Sequence, residues 1–285
     1  MPPAPAALSS AASHLGKRDR LLQLLASYKS CGVAFSGGVD STVLAKAAQL
    51  ALADRAVAVT GVSPSLAEGQ LEEARRLAAQ IGIRHVELAT GELANPQYAA
   101  NGPDRCYHCK TELYVHVEGL AEELGVEVLA NGANADDASD YRPGTKAAEE
   151  HAVRSPLAEC GFTKDDVRRL ARQWALPVWD RPASPCLSSR IAYGEQVTAE
   201  RLAMVDRAEQ CLRKLGLTSV RVRYHKSDLA RLEVPVDAIE RICQDGTRRQ
   251  LVAQLRALGF KFITLDLEGF RSGSLNQVIP VESLG

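Results

Sequence analysis

The chain has almost no excess charge of either sign. Its 285 residues contain 34 lysines and arginines against 35 aspartates and glutamates, so the formal net charge at pH 7 is -1. Such a balance gives no general electrostatic field for capturing a polyanion, and we expect no nucleic-acid partner. The sequence also lacks any apolar run near the roughly 20 residues that span a bilayer, so we expect no membrane partner.

The N-terminus lacks the basic start of a secretory signal peptide. We therefore predict a disordered leader in residues 1–16 and a cytoplasmic location for the protein. The chain has seven cysteines, and an odd number argues against a disulfide framework. It favours thiol or metal chemistry by a few of them.

The Walker pattern Gly-x-x-x-x-Gly-Lys-Ser/Thr of many nucleotide-binding proteins is missing too. Residues 35–42, Phe-Ser-Gly-Gly-Val-Asp-Ser-Thr, instead connect a short apolar run to a helix-like stretch. A strand that turns sharply into a helix leaves the first helical N–H groups free for an anion. Gly37 and Gly38 let the backbone approach that anion closely. Further donors are the hydroxyls of Ser36, Ser41 and Thr42.

Asp40 would repel a phosphate unless a divalent cation lay between them. Hard cations bind carboxylate and phosphate oxygens together, so the segment predicts Mg²⁺–nucleotide chemistry with Asp40 as a magnesium ligand. The alternative is a glycine turn with an acid near a helix start, where acids are stabilised. The segment resembles the SGGxDS signature of the PP-loop ATP pyrophosphatase superfamily. That resemblance implies cleavage of ATP into pyrophosphate and an adenylated substrate, and it leaves the acceptor open.

Four short apolar segments alternate with helical ones up to residue 131, and they predict an α/β fold with a parallel sheet covered on both faces. Ligands of such sheets bind beyond the strand C-termini, which adds the loop 131–140 to the site. Its acids at 136, 137 and 140 are predicted to complete a cation site with Asp40, and a solvated acidic loop is the alternative. In the superfamily a Gly-x-Asn-x-Asp-Asp stretch after a strand lines the nucleotide site, which implies this role for Gly132 and Asp137.

After Asp180 the pattern changes to helical stretches at 197–215 and 236–258 with alternating strands at 219–225, 229–234 and 260–267. Alternation predicts a one-sided antiparallel sheet, and therefore a second, smaller α+β domain. The predicted organisation is a leader at 1–16, a PP-loop ATP pyrophosphatase domain at 17–180, an interdomain active-site loop at 181–196 and a C-terminal α+β domain at 197–285.

Three cysteines lie in segments that we expect to face the site: the CxxC pair Cys106 and Cys109, and Cys186 in the interdomain loop. Three thiolates on one metal leave a coordination position open for chemistry. Zinc held by these cysteines, with or without His108, is an alternative, as are a redox pair and unrelated free thiols. The other cysteines fit the role of small apolar residues: Cys31, Cys160, Cys211 and Cys243.

The interdomain loop also offers an anion clamp made of Ser188, Ser189 and Arg190. Arg221 and Arg223 lie on one face of a predicted strand. Together with Arg142 and Lys146 they are predicted to hold a substrate that has carboxylates and a phosphate. Ordinary surface ion pairing is the alternative for each of them.

A combination of segments is similar to the LarE family over nearly the whole chain after the leader. These segments are 36–41, 140–144, 155–157 with 162–164, 182–190 with 193–194, 220–225 and 264–273. LarE enzymes are ATP-dependent sulfur insertases in the biosynthesis of the nickel-pincer nucleotide cofactor of lactate racemase. The resemblance implies pyridinium-3,5-biscarboxylic acid mononucleotide as the small-molecule substrate, whose carboxylates become thiocarboxylates. Glu209 matches a polar site residue of the family, and a solvated helix face is the alternative.

The family supplies sulfur in two ways. Some members give up the sulfur of one loop cysteine, which becomes dehydroalanine, and others hold a 4Fe-4S cluster on three cysteines. Cys106, Cys109 and Cys186 resemble the cluster-bearing branch, and both hypotheses start from an acyl-adenylate that the sulfur nucleophile attacks. We expect a homo-oligomer. The rival functions are a tRNA thiolase, which should have a basic face, and an ammonia-using amide synthetase similar to NAD synthetase, which needs no convergent thiols.

Overall fold

The computed structural model describes residues 6–139, 143–182 and 184–271, without the side chains of residues 6–15, 138, 139 and 143. The chain divides into two compact units. Unit 1 consists of Met1–Val62, Gly69–Thr90 and Cys109–Ser184, and unit 2 consists of Ser63–Glu68, Gly91–His108 and Pro185–Gly285. Two short segments from within the predicted PP-loop domain therefore belong to the unit that contains the C-terminal sheet.

The described residues form helices and strands in alternation. The helices are α1 (Ala6–Ala26), α2 (Val39–Leu52), α3 (Gln70–Ile81), α4 (Pro96–Ala99), α5 (Arg105–Gly119), α6 (Ala121–Leu124), α7 (Pro143–Glu150), α8 (Pro156–Glu159), α9 (Lys164–Gln173), α10 (Ala199–Lys214), α11 (Ile239–Cys243) and α12 (Asp245–Ala257). The strands are β1 (Cys31–Ala34), β2 (Ala56–Val62), β3 (Arg84–Ala89), β4 (Val128–Ala130), β5 (Arg221–His225), β6 (Leu229–Glu233) and β7 (Phe262–Leu265).

Unit 1 is built on a parallel sheet with the strand order β3-β2-β1-β4. The side chains of β2 alternate between two apolar cores: Ala56 and Ala58 join one cluster, and Val57 and Val59 join the other. A sheet with a core on each face is the α/β arrangement that the apolar strand pattern predicts. The prediction of a parallel-sheet α/β fold is therefore confirmed.

The strand order reverses beside β1. The chain moves from β1 to β2 and β3 on one side and then returns to add β4 on the other side. In open α/β sheets, ligands bind outside the strand C-termini where the order reverses in this way. The loops after β1 and β4 are therefore the first places to look for the site of unit 1.

Unit 2 contains a three-stranded sheet with the order β5-β6-β7. The predicted antiparallel pairing holds for β5 and β6, but β6 and β7 are parallel, so the prediction of an antiparallel sheet is wrong for the third strand. The physical reason is the connection, because α11 and α12 lie between β6 and β7. A strand that returns through a helical crossover adds in parallel.

The N-terminal helix also differs from the sequence prediction. Helix α1 begins at Ala6 and includes residues 6–16, which were predicted to be disordered, whereas residues 1–5 lie outside the described residues. Alanine has the highest helix propensity, and this segment is rich in it. Across the described part of the chain, no helix combines the length and the apolarity that a membrane crossing requires.

Asp166 fastens the start of α9. Its carboxylate accepts hydrogen bonds from Lys17 Nζ at 2.5 Å and from the Thr163 backbone N–H at 3.1 Å, and Thr163 Oγ1 caps the helix in return. Burial opposes ionisation of Asp166, but these donors hold the pKa of its carboxyl group well below the ordinary value. The carboxylate therefore stabilises the fold above the unfolded pKa of about 3.9, and this contribution is lost as the pH falls toward the lower folded pKa.

An Asp166→Asn variant is expected to lose about 1–3 kcal/mol of unfolding free energy at neutral pH. The difference from the wild type should shrink in acid, because the wild-type carboxylate becomes protonated there. Urea unfolding at a series of pH values measures both effects. The exposed neighbour Asp165, changed to Asn, is the matched control, and an equal loss in both variants would contradict the assignment.

Candidate active site

The loop between β1 and α2 forms an anion cradle. Gly37 has φ of +72°, and Gly38 caps α2 in an extended conformation without any side-chain cap. The N–H groups of the first helical turn are therefore left for an external acceptor. Thr42 Oγ1 is buried and has no hydrogen-bond partner in the described structure. An unpaired buried hydroxyl beside uncapped helix N–H groups fits a phosphate oxygen.

The two serines of the cradle shape the loop from inside. Ser41 Oγ donates to the Gly38 carbonyl at 3.1 Å and lies 3.2 Å from Ser36 Oγ. The loop is thus closed by its own hydroxyls. The structure brings together the six predicted nucleotide-loop residues on one turn: Ser36, Gly37, Gly38, Asp40, Ser41 and Thr42.

The loop after β4 lies directly against this turn. A Cβ atom at Gly132 would lie 2.8 Å from Ser41 N and 3.0 Å from the carbonyl carbon of Asp40, which is backbone that cannot move aside cheaply. Only glycine permits this approach. The loop itself is held by Asn131, whose Oδ1 accepts from Ala133 N at 2.9 Å and from Ser155 Oγ at 3.0 Å.

Asp40 is paired with a cation of the protein itself. Its Oδ2 forms an ion pair with Lys164 Nζ, and its Oδ1 accepts from Asn134 Nδ2 at 3.2 Å. The side chain of Lys164 is 35% exposed and that of Asp40 is 24% exposed, so the pair lies at the edge of the cradle and is accessible. A lysine is therefore placed where the charge of a bound phosphate would need neutralising.

Sequence reasoning missed this lysine, which appeared only inside the segment 162–164. The sequence does contain a signal. Lys164 is the first residue of α9, directly after the capping Thr163. A positive side chain is unfavourable at the positive end of a helix dipole, so its presence there needs an anion to explain it.

The acids predicted to complete a cation site have other roles in the structure. Asp136 Oδ2 accepts from the backbone N–H of Lys164 at 2.7 Å, and Asp137 Oδ2 accepts from that of Asn134 at 3.0 Å. Asp140 and Arg142 lie outside the described residues. Asp136 and Asp137 thus organise the loop that presents Asn134 and Lys164 to Asp40.

In unit 2, a buried arginine holds the loop that contains Cys186. Arg190 Nη1 donates to the carbonyls of Pro185 at 2.5 Å and Cys186 at 3.1 Å, and Nε donates to Glu209 Oε1 at 2.9 Å. The predicted anion clamp is therefore occupied by the protein itself. Glu209, predicted as a polar site residue or a solvated one, is fully buried in this ion pair.

The two serines of the predicted clamp also have internal partners. Ser188 is fully buried, and its Oγ lies 2.6 Å from Tyr98 Oη. Ser189 Oγ donates to the Cys186 carbonyl at 2.7 Å. Ser188, Ser189 and Arg190 thus give the loop its shape, and what the loop presents is the half-buried side chain of Cys186.

Arg105 connects two of the predicted cysteines. It precedes Cys106 in the chain, and its Nη1 donates to the Ser188 carbonyl at 2.8 Å in the Cys186 loop. Burial works against its charged form, but the nearby thiols of Cys186 and Cys106 raise the pKa of Arg105. The charge of Arg105 therefore lies within electrostatic reach of both sulfurs.

The CxxC pair lies on a helix. Cys106 and Cys109 are three residues apart near the start of α5. Cys106 is exposed and Cys109 half-buried. Within the described residues, no three Cys, His, Asp or Glu side chains are gathered closely enough to hold a metal ion. Elsewhere, burial raises the pKa of Cys31 to about 12 and also that of Cys160, so these thiols suit an inert role.

A charged layer lies on one face of the unit 2 sheet. The Glu233 carboxylate accepts hydrogen bonds from two nitrogens of Arg223, each at 3.0 Å, and from Arg231 Nη2 at 3.2 Å. Arg223 also donates to the Ser189 carbonyl at 2.8 Å. The buried carboxylate of Glu233 is thus already shared by two arginines, and Arg223 links the sheet to the Cys186 loop.

Arg221 differs from the other arginines of this layer, because no carboxylate among the described residues forms an ion pair with it. Glu209 is likewise shared, by Arg190 and Arg213, and among the described residues Arg221 has no ion pair. Its Nη1 donates to the Arg271 carbonyl at 3.0 Å. Burial and the neighbouring Arg223 and Arg190 lower the pKa of Arg221 to about 10. A buried cation among other cations is stabilised by an added anion.

An Arg221→Gln variant is therefore expected to be at least as heat-stable as the wild type without ligand, since a buried charge is removed. In the wild type, unfolding free energy should rise as the pH increases above about 10, where the unfolded chain binds more protons, and the variant should lack this rise. Calorimetric titration with the anionic substrate should show affinity about tenfold lower in the variant. Arg213→Gln is the control, and unchanged affinity in Arg221→Gln would contradict the role.

Known proteins resemble this chain along nearly its whole length. The asparagine synthase family profile matches residues 22–114. An uncharacterized protein of Synechocystis sp. is 48% identical over 263 residues, which cover 92% of this chain and 98% of the relative. The pyridinium-3,5-bisthiocarboxylic acid mononucleotide synthase of Lactiplantibacillus plantarum is 37% identical over 271 residues, 94% of this chain and 96% of the relative. An uncharacterized protein of Methanocaldococcus jannaschii is 27% identical over 240 residues, 84% and 90% of the two chains.

Proposed function

Since the chain belongs to the LarE-type family of pyridinium-3,5-bisthiocarboxylic acid mononucleotide synthases, we propose that it converts pyridinium-3,5-biscarboxylic acid mononucleotide into the bisthiocarboxylic acid with ATP. The observation that carries the proposal is the full-length similarity to the named synthase. The anion cradle with Lys164 and the supported Cys186 loop supply the two chemical steps that such a conversion needs.

The first step activates a carboxylate. A substrate carboxylate oxygen attacks the α-phosphorus of ATP, the bond to the β-phosphate oxygen breaks, and pyrophosphate leaves with the bonding electron pair. The cradle at Ser36–Thr42 positions the phosphates, and Lys164 neutralises the charge that develops on the leaving group. To do so, Lys164 must exchange the Asp40 carboxylate for a phosphate oxygen.

The residues present fit a magnesium ion bound together with ATP. Proteins hold Mg²⁺ through one or two carboxylates plus substrate phosphates, and Asp40 supplies a partly exposed carboxylate beside the cradle. The ion would supply charge neutralisation on the phosphate oxygens. If Asp40 bound the ion, Lys164 would be free to contact the phosphates.

The second step transfers sulfur. In the sacrificial route, the Cys186 thiolate attacks the acyl carbon and AMP leaves, which gives a thioester. A base then removes the Cα proton of Cys186 and the Cβ–S bond breaks, leaving a thiocarboxylate and dehydroalanine. Each chain gives up one sulfur in this route, so the two thiocarboxylates of the product require two chains. Arg105 would hold the Cys186 loop in place through its hydrogen bond to the Ser188 carbonyl. Arg221 would bind the substrate phosphate.

A 4Fe-4S cluster on Cys106, Cys109 and Cys186 is the other proposed sulfur source. Three thiolates would have to surround one metal centre, and the described residues do not gather such a group. The described residues therefore do not by themselves form a cluster site, and Cys109 belongs to a different unit from Cys106 and Cys186. Iron and acid-labile sulfide analysis of anaerobically purified protein distinguishes the two sources, together with the intact mass after turnover.

The experiment that tests the function is pyrophosphate release. Purified protein with ATP and Mg²⁺ is offered pyridinium-3,5-biscarboxylic acid mononucleotide, and pyrophosphate, AMP and the thiocarboxylate product are measured. We expect release with this acceptor and none with tRNA or ammonia. Release with tRNA alone would favour a thiolase, although the net charge of -1 argues against it. Pyrophosphate release with ammonia as the acceptor, at the same rate in Cys186→Ala as in the wild type, would favour an amide synthetase.

A further inference from the structure

Unit 2 contains a buried carboxylate that the proposed chemistry does not use. Glu92 is only 2% exposed. Its Oε1 accepts from two hydroxyls, Ser63 Oγ at 2.5 Å and Ser65 Oγ at 3.0 Å, whereas Oε2 is buried with no hydrogen-bond partner in the described structure. None of the ion pairs of the described residues includes Glu92. A carboxylate is costly to bury without a cation, so packing alone does not explain the residue type.

The two hydroxyls belong to a tight turn after β2. Ser63 Oγ also lies 2.8 Å from Ser65 Oγ and accepts from the Ser65 N–H at 3.2 Å, and the Ser63 carbonyl accepts from Leu66 N at 3.1 Å. Glu92 thus fixes both ends of the turn through one oxygen. One oxygen that accepts from both hydroxyls ties the positions of the two serines together.

This turn holds the backbone beside Cys186. The Ser65 carbonyl accepts a hydrogen bond from the Leu187 N–H at 2.9 Å, and Leu187 directly follows Cys186. The side chain of Leu187 is buried, so its packing and the hydrogen bond of its N–H together hold the backbone at this residue. The connection runs from the carboxylate through Ser65 to the peptide that Cys186 shares with Leu187.

We propose that Glu92 is a positioning residue that fixes the direction of the Cys186 side chain through the turn Ser63–Ser65 and the Leu187 N–H. The proposal rests on the proposed function for its catalytic consequence, since a fixed Cys186 is what attack on an acyl-adenylate requires. A sulfur displaced by about 1 Å from its attack geometry loses about 100-fold in rate. The role of Glu92 lies in sulfur transfer and not in ATP cleavage.

The test compares three variants by hydrogen–deuterium exchange resolved to single amides. In Glu92→Met, which keeps the length but removes the acceptor, the Leu187 N–H is expected to exchange about tenfold faster than in the wild type. The double variant Ser63→Ala/Ser65→Ala should show the same increase. Glu92→Gln keeps an acceptor oxygen and should recover most of the protection.

Activity supplies the second readout. Glu92→Met should form thiocarboxylate at least about tenfold more slowly, while pyrophosphate release stays at the wild-type rate, because only the sulfur step depends on the loop. Leu255→Ala, which makes a cavity under α12 in the same unit, is the control for general destabilisation. It should leave the relative protection of Leu187 unchanged.

Wild-type exchange at Leu187 in both Glu92→Met and the double serine variant would overturn the proposal, and so would an equal rise in Leu255→Ala. If Glu92→Met does not fold, Ser65→Ala, which keeps the carboxylate, provides the same measurement. Exchange requires no substrate. It therefore tests the positioning role of Glu92 even if the chain makes no thiocarboxylate. A failure of this proposal can thus be told apart from a failure of the proposed function.

Discussion

A Lys164→Met variant is expected to lose at least about 100-fold in the rate of pyrophosphate release, the loss typical when one preorganised charge donor is removed from a transition state. The ammonium group is the cation that the structure places on Asp40 at the edge of the phosphate cradle. Methionine keeps the length of the side chain but cannot neutralise the charge that develops on the leaving pyrophosphate. Affinity for ATP should fall less than the rate, because the charge is largest in the transition state.

The controls for this variant follow from the same geometry. Lys164→Arg keeps the charge and should recover part of the rate. Lys46→Met removes a lysine of α2 that is bound to Gln49 Oε1, and it should leave pyrophosphate release unchanged. Single-turnover measurement of pyrophosphate separates the chemical step from product release. Equal rates for the wild type and Lys164→Met would contradict the role of Lys164 in activation.

A Cys186→Ala variant should form no detectable thiocarboxylate, a loss of at least about 1,000-fold, as expected for removal of a nucleophile. Pyrophosphate release with the substrate should continue, because the cradle of unit 1 retains all its residues. The acyl-adenylate then has no sulfur to react with and should hydrolyse or accumulate. Mass spectrometry of the reaction mixture, with pyrophosphate measured in parallel, checks both outcomes.

Alanine variants of the other cysteines, compared with Cys186→Ala, distinguish the two proposed sulfur sources. Cys211→Ala, in α10, is the matched control and should keep full activity. If Cys186 gives up its own sulfur, Cys106→Ala and Cys109→Ala should still complete one turnover per chain. If the three cysteines act as one ligand set, each variant should fail as Cys186→Ala does. Full product formation by Cys186→Ala would contradict both sources.

The sequence predicted the features that repeat along the chain. Apolar strands alternating with helices determine a parallel sheet, since such strands are buried on both faces, and the structure contains that sheet. The prediction failed for β7, because the alternation of a single strand does not show whether its partner runs parallel. The crossover through α11 and α12 decides that, and it depends on chain connection.

The site was predicted where local chain geometry defines it. The glycine-rich turn at residues 36–42 is formed by consecutive residues, so its structure follows from the pattern. Arg190 and Glu209 are 19 residues apart in sequence, and their pairing in a buried contact leaves no local signature. Lys164 and Asp40 are separated by 124 residues, and only the fold shows that they meet.

The division of the chain has a consequence for how the molecule positions Cys186. The chain passes between the two units at five places, after residues 62, 68, 90, 108 and 184. A fragment that begins at residue 185 would therefore contain Cys186 without Tyr98 and Arg105, the partners that shape its loop. The Cys186 loop takes its shape only after residues 91–108 and the C-terminal segment have folded together, so unit 2 cannot be completed from its C-terminal part alone.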